Sequence, residues 1–110
     1  MQSYDVTLTD TNVHKLADLI AAADAAKTAP VGGTLVKEYR EIIWTADGDN
    51  GAAVLYCGDS HVASTDYAFK LAAGNSITKR HSVGGSRFFI STMYVKASAQ
   101  PCRFHIDATV

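Results

Sequence analysis

Cys102-Arg103-Phe104-His105-Ile106-Asp107-Ala108-Thr109-Val110 closes the chain, and the reading of this stretch decides the fold. Cys102, Phe104, Ile106 and Ala108 alternate with Arg103, His105, Asp107 and Thr109, so a strand here has one apolar face and one polar face. One face packs, and the other meets water or a partner. Upstream, Phe88-Phe89-Ile90-Ser91-Thr92-Met93-Tyr94-Val95 carries large apolar groups on both parities, which predicts a strand covered on both sides. The remaining β-branched and aromatic runs lie over 35–46, 52–57, 66–71 and 76–80, with the last two strands over 87–97 and 102–110. Turn formers separate them: Asp47-Gly48-Asp49-Asn50-Gly51, Gly58-Asp59-Ser60, Ala73-Gly74-Asn75, Gly84-Gly85-Ser86 and Ser98-Ala99-Gln100-Pro101. Six candidate strands with no helical pattern between them predict an antiparallel sandwich or barrel and not a βαβ sheet.

The first third of the chain has a different period. Val6 and Leu8 alternate with Asp5, Thr7 and Thr9, suggesting a short extended lead-in. Val13, Leu16, Leu19, Ile20 and Ala23 then recur at three- and four-residue steps among many alanines, which predicts an N-terminal helix over about residues 12–27. Asp10, Thr11 or Asn12 would cap it, Asp18 and Lys27 have the charge order that the helix dipole favours, and Pro30 with Gly32-Gly33 would end it. At 110 residues the chain is expected to form a single domain, with lead-in and helix over 1–33 and a sandwich over 34–110.

Ten basic and eleven acidic side chains leave a formal charge of -1, which argues against a general nucleic-acid binder. No stretch approaches the ~20 apolar residues that cross a bilayer, and residues 1–10 lack a basic region followed by an apolar run, so neither membrane contact nor an export signal is expected. Cys57 and Cys102 are then read as reduced, buried small hydrophobes. His14, His61, His81 and His105 have no metal-ligand spacing, so neither metal nor cofactor is expected. The Asp47 to Gly51 run lacks the later glutamate of a calcium loop, position 58 being glycine, and is read as a turn. Asp59-Ser60-His61 has the residue types of a hydrolase triad, but sequence neighbours do not generally form the required relay, so a polar corner is the better account. Gly32-Gly33 and Gly84-Gly85 lack the spacing of phosphate loops. Lys79-Arg80-His81, with Arg87 beyond, is the one basic cluster in the linear sequence, read either as a solvated loop or as a contact for an acidic protein surface.

One long series of short motifs is familiar. The helix Leu16-Ala17-Asp18-Leu19-Ile20-Ala21-Ala22-Ala23 leads to Glu41-Ile42-Ile43-Trp44, then to the turn Asp49-Asn50-Gly51. Next come Ala53-Val54-Leu55-Tyr56-Cys57-Gly58-Asp59-Ser60-His61-Val62-Ala63-Ser64, Leu71-Ala72-Ala73-Gly74-Asn75-Ser76-Ile77 and Met93-Tyr94-Val95-Lys96-Ala97. Over about residues 12–110 this order resembles small β-sandwich virion proteins of tailed bacteriophages, including capsid cement, or decoration, proteins. In these an Asn/Gly turn precedes "VYVGDSxVS", "LxAGxSI" and "xxIYVxA" segments. Cys57 stands where that pattern more often has valine, and Met93 where it has isoleucine or leucine; both suit an apolar strand.

The resemblance implies a jelly-roll-like β-sandwich, a place on the outer capsid surface of a virion assembled in the host cytoplasm, and docking on the major capsid protein. It carries no catalytic residue, so no enzymatic activity is expected. Sandwich edges are commonly covered by a symmetry mate, so a homodimer or trimer is expected as well. Candidate interface residues are Tyr39, Trp44, Phe88, Ile90 and Tyr94, with Lys79, Arg80 and Arg87 as charged contacts. The alternatives are a tail, neck or head-fibre component, a carbohydrate-binding jelly-roll module using Trp44, Tyr56, Tyr67 or Tyr94, and a small hydrolase at Ser60 and His61.

Overall fold

Strand β10 (Cys102–Thr109) forms where the terminal alternation places it, with Cys102, Phe104, Ile106 and Ala108 buried. The computed structural model describes residues 2–30, 38–80, 88–89 and 92–109. On one side β10 pairs antiparallel with β1 (Gln2–Leu8), and on the other with β4 (Glu41–Ala46), which in turn pairs with β7 (Ser76–Arg80). This gives a four-stranded sheet in the order β1-β10-β4-β7. A second antiparallel sheet has the order β2-β9-β5-β6, from β2 (His14–Lys15), β9 (Tyr94–Ala97), β5 (Leu55–Gly58) and β6 (Phe69–Leu71). Two short strands, β3 (Glu38–Tyr39) and β8 (Phe88–Phe89), pair with each other.

Inward residues of both sheets form a single apolar cluster: Tyr4, Val6, Ile42, Trp44, Phe104 and Ile106 from the first, Leu55, Cys57, Leu71 and Val95 from the second. Trp44 lies at its centre, stacked on Phe104 at 5.9 Å and edge-on to Phe69 of the opposite sheet at 5.3 Å. The molecule is thus mainly β, with two antiparallel sheets and one helix among the described residues, an arrangement consistent with a sandwich.

The helix departs from the expected one. It spans Leu16–Ala25, later and shorter than 12–27, and a full strand, β1, precedes it. His14 and Lys15 are drawn into the sheet by pairing with Val95 and Tyr94, and the Leu16 N–H donates to Met93 O at 3.0 Å. Lys15 therefore takes the N-cap position in extended conformation, with no side-chain cap. Asp10 Oδ1 instead accepts from the Asn12 N–H at 2.9 Å and lies 2.7 Å from His14 Nε2, stabilising the loop before β2. Val13, expected on the buried stripe, is 41% exposed. Leu16, Ile20 and Asp24 form the buried stripe of the helix. Lys27 lies beyond its end, with Nζ 4.1 Å from the centroid of the Tyr4 ring.

The corner between β4 and β5 shows how a short polar segment is fixed to the first sheet. The Asp47 carboxylate accepts the Asp49 N–H at 2.8 Å, and a 3-10 turn over Gly48–Asn50 follows. Asn50 then behaves like an extra strand residue: its Oδ1 accepts the Arg103 N–H and its Nδ2 donates to Arg103 O, both at 2.8 Å. Gly51 and Gly74 adopt φ of 63° and 79°, a region that costs other residues a Cβ clash.

Candidate functional site

The two sheets turn outward faces of different chemistry to solvent. On the first sheet, residues 3, 5 and 7 of β1 and 103, 105, 107 and 109 of β10 point away from the core, as the alternation of burial shows. His105 bridges the two strands there: Nδ1 lies 2.7 Å from Asp5 Oδ1 and Nε2 lies 3.0 Å from Asp107 Oδ1. Carboxylates only accept, so both contacts are satisfied together only when the imidazole is doubly protonated. The hydrogen bond with Asp5 is the main cause that raises the His105 pKa above its ordinary value near 6.5; burial opposes it and Asp107 adds to it. Ser3 Oγ donates to the same Asp107 oxygen at 2.6 Å, and this bond is the chief reason that the Asp107 pKa is lowered.

On the second sheet the outward residues are Lys15 of β2, Tyr94 and Lys96 of β9, Tyr56 and Gly58 of β5 and Lys70 of β6. The register arranges them in two cross-strand rows. Lys70, Tyr56 and Lys96 lie abreast in one, and Gly58, Tyr94 and Lys15 in the other. Tyr67, 39% exposed, packs on Tyr56 with ring centroids 5.4 Å apart, and Lys70 Nζ stands 5.7 Å from the Tyr67 centroid. The Lys96 ammonium donates to Thr11 O. Gly58 admits the crossing segment, since a Cβ there would lie 3.3 Å from Ala68 N. None of these four strands contains an aspartate or glutamate. Tyr56, Tyr67 and Tyr94 were singled out from the sequence, but Lys15, Lys70 and Lys96 beside them were not, because they come from separated segments; the polar parity of each short strand was the signal available.

A cleft of about 530 Å³ opens at one end of the second sheet, lined by apolar groups of Trp44, Cys57, Phe69 and Met93 and by polar Asp59, Asp66 and Lys79. Its volume falls in the range of small-molecule sites, roughly 300–1,000 Å³. Trp44 Nε1 is buried without a hydrogen-bond partner. Burial pushes the Cys57 thiol up to about 12, against a smaller downward pull from Lys79, and burial raises Cys102 too. Both cysteines are free and buried, as expected.

The expected interface residues that are described do not form one exposed surface. Tyr39 and Trp44 are fully buried within the chain's own core and lack the exposure that a contact surface needs. The Tyr39 hydroxyl donates to Gln2 Oε1 at 2.6 Å, and burial pushes its pKa to about 12. Tyr94 is half-buried on the second sheet's outer face. Phe88 lies in β8, paired with Tyr39, while Ile90 and Arg87 lie outside the described residues. Of the basic cluster, Lys79 holds its ammonium 5.1 Å from the centroid of Phe69 and Arg80 pairs with Glu41 across the first sheet; His81 lies outside the described residues. The 79–80 cations are thus engaged within the chain.

The Ser60-His61 corner does not assemble a relay. Ser60 Oγ, at 3.4 Å, and Asp59 Oδ1, at 3.9 Å, both approach the same ring nitrogen, Nδ1, whereas a triad uses the two nitrogens for the two partners. Among the described residues no group of three or more His, Cys, Asp or Glu is placed to hold a metal ion. No helix among them is long and apolar enough to cross a membrane. Comparison with protein-family models, curated proteins and solved structures finds no match to this chain.

Proposed function

We propose that this chain is a jelly-roll structural protein of a tailed-bacteriophage virion, a cement protein that docks across major capsid protein subunits, self-associates, and stabilises the head. The observation that carries the reading is the strand order. Set β3 and β8 aside, and the other eight strands number one to eight along the chain. One sheet is then first-eighth-third-sixth and the other second-seventh-fourth-fifth. Two four-stranded sheets in this order support a jelly-roll reading, the eight-stranded double Greek key of viral capsid, lectin and cupin domains. Fold alone does not assign function, so the virion role rests on the motif order of residues 12–110 together with this topology.

A protein of this kind acts by mass action. Binding the assembled shell and not its separated subunits stabilises the shell by the free energy of binding, without chemistry. Purified protein mixed with heads that lack it should co-sediment at a fixed ratio to the capsid subunit and raise the melting temperature of the heads. Failure to associate with heads overturns the cement role; association with tails instead would place the chain there. Sedimentation of the isolated chain tests self-association, and a monomer at all concentrations refutes it.

A further inference from the structure

We infer that the outer face of the second sheet, centred on the row Lys70-Tyr56-Lys96 and on Lys15, is a docking surface for an acidic segment of a partner protein. Its identification with the capsid contact rests on the cement reading above; the surface chemistry does not. Register places Lys70 and Lys96 directly on either side of Tyr56, on strands β6, β5 and β9. Strands lie about 4.8 Å apart, so the two lysine stems leave the sheet on the order of 10 Å from each other, with the tyrosine ring between them. The next row adds Lys15 beside Tyr94. This surface offers cations to carboxylates and half-buried rings to the apolar stems between them.

Charge selects the partner. The face's own strands contribute lysines and no acid, whereas the first sheet's outer face carries Asp5, Asp107 and Glu41, already engaged by His105, Ser3 and Arg80. The nearby acids Asp59 and Asp66 line the cleft, together with Gly58 and Tyr67. A polyanion such as nucleic acid draws its affinity from many phosphate contacts and falls steeply with salt. Three lysines, one of them already donating to Thr11 O, on a chain of charge -1 suit a short acidic protein segment better. Tyrosine also favours a protein partner, being enriched at protein interfaces and supplying contact area at small entropic cost.

The test uses the whole chain and poly-L-glutamate as the probe, with binding measured by titration calorimetry at 50 and 300 mM NaCl. Wild type should bind and weaken at the higher salt. The double variant Lys15→Glu/Lys70→Glu should lose at least about tenfold in affinity, while Arg103→Gln on the opposite face should stay within about twofold of wild type. Both substituted lysines are exposed, and thermal melts establish that the variants are folded. Absence of poly-L-glutamate binding, or equal binding by the double variant, overturns the inference. Tighter binding to heparin or to oligo(dT) than to poly-L-glutamate overturns the assignment to a protein partner. Heads that bind wild type and double variant equally show that capsid docking uses another face. Heads that bind neither refute the cement reading alone, and the poly-L-glutamate result still decides the surface chemistry.

Discussion

Replacing His105 with glutamine removes the one cation that joins Asp5 of β1 to Asp107 of β10, and the loss should depend on pH in a defined direction. The folded pKa of His105 is raised, so its protonated form is favoured by folding. The resulting stability is fully present below the ordinary histidine value near 6.5 and is lost as pH rises through the higher folded value. Asp107 behaves in the opposite sense: its lowered pKa contributes stability above the ordinary value near 3.8, lost as pH falls through the folded value. The bridge is therefore complete near pH 5. The His105 side chain is 38% exposed, so each ion pair is screened. Two such pairs at about 0.5 kcal/mol each amount to about 1 kcal/mol, or a melting shift of about 4 °C for a domain of this size. Thermal melts of wild type and His105→Gln at pH 5.0 and pH 9.0 test this. The gap should be about 4 °C at the lower pH and close to nil at the higher. A gap that is equal at both pH values, or larger at pH 9.0, refutes the reasoning. So does an NMR titration of the His105 ring with a midpoint at or below 6.5.

Trp44 fills the centre of the core between Phe104 and Phe69, so Trp44→Ala should cost about 3–5 kcal/mol in urea unfolding. Trp44→Phe also removes the unpartnered N–H and should cost only about 1–2 kcal/mol; equal losses from the two variants would contradict this account. Asn50→Ala deletes both 2.8 Å bonds to the Arg103 backbone and should cost about 1–2 kcal/mol, measured in the same way, with an unchanged midpoint as the contrary result. Cys57 and Cys102 are buried, with raised thiol pKa values, so a thiol-specific chromogenic reagent at pH 8 should label them only after denaturant is added. Rapid native labelling would show that one of the thiols is accessible.

Alternation in Cys102 to Thr109 was enough to place Phe104 and Ile106 inside and Arg103, His105 and Asp107 outside, because a strand's side chains change face at every residue. Likewise Ser76–Arg80 was legible as a strand, and Asp47 to Gly51 as a turn, from their own residues. These are local properties, and the sequence by itself determined them. It misled at His14 and Lys15, whose helical spacing with Val13 and Leu16 was overridden by pairing with Val95 and Tyr94, some 80 residues away. It also offered Tyr39 and Trp44 as contact residues, since an apolar side chain reads the same whether core or partner covers it. Which strands lie side by side is a long-range choice, made when both sheets bury their apolar faces together. That choice alone brought Asp5 to His105 and set Lys70, Tyr56 and Lys96 abreast, so the chemistry of both outer faces was decided by tertiary structure.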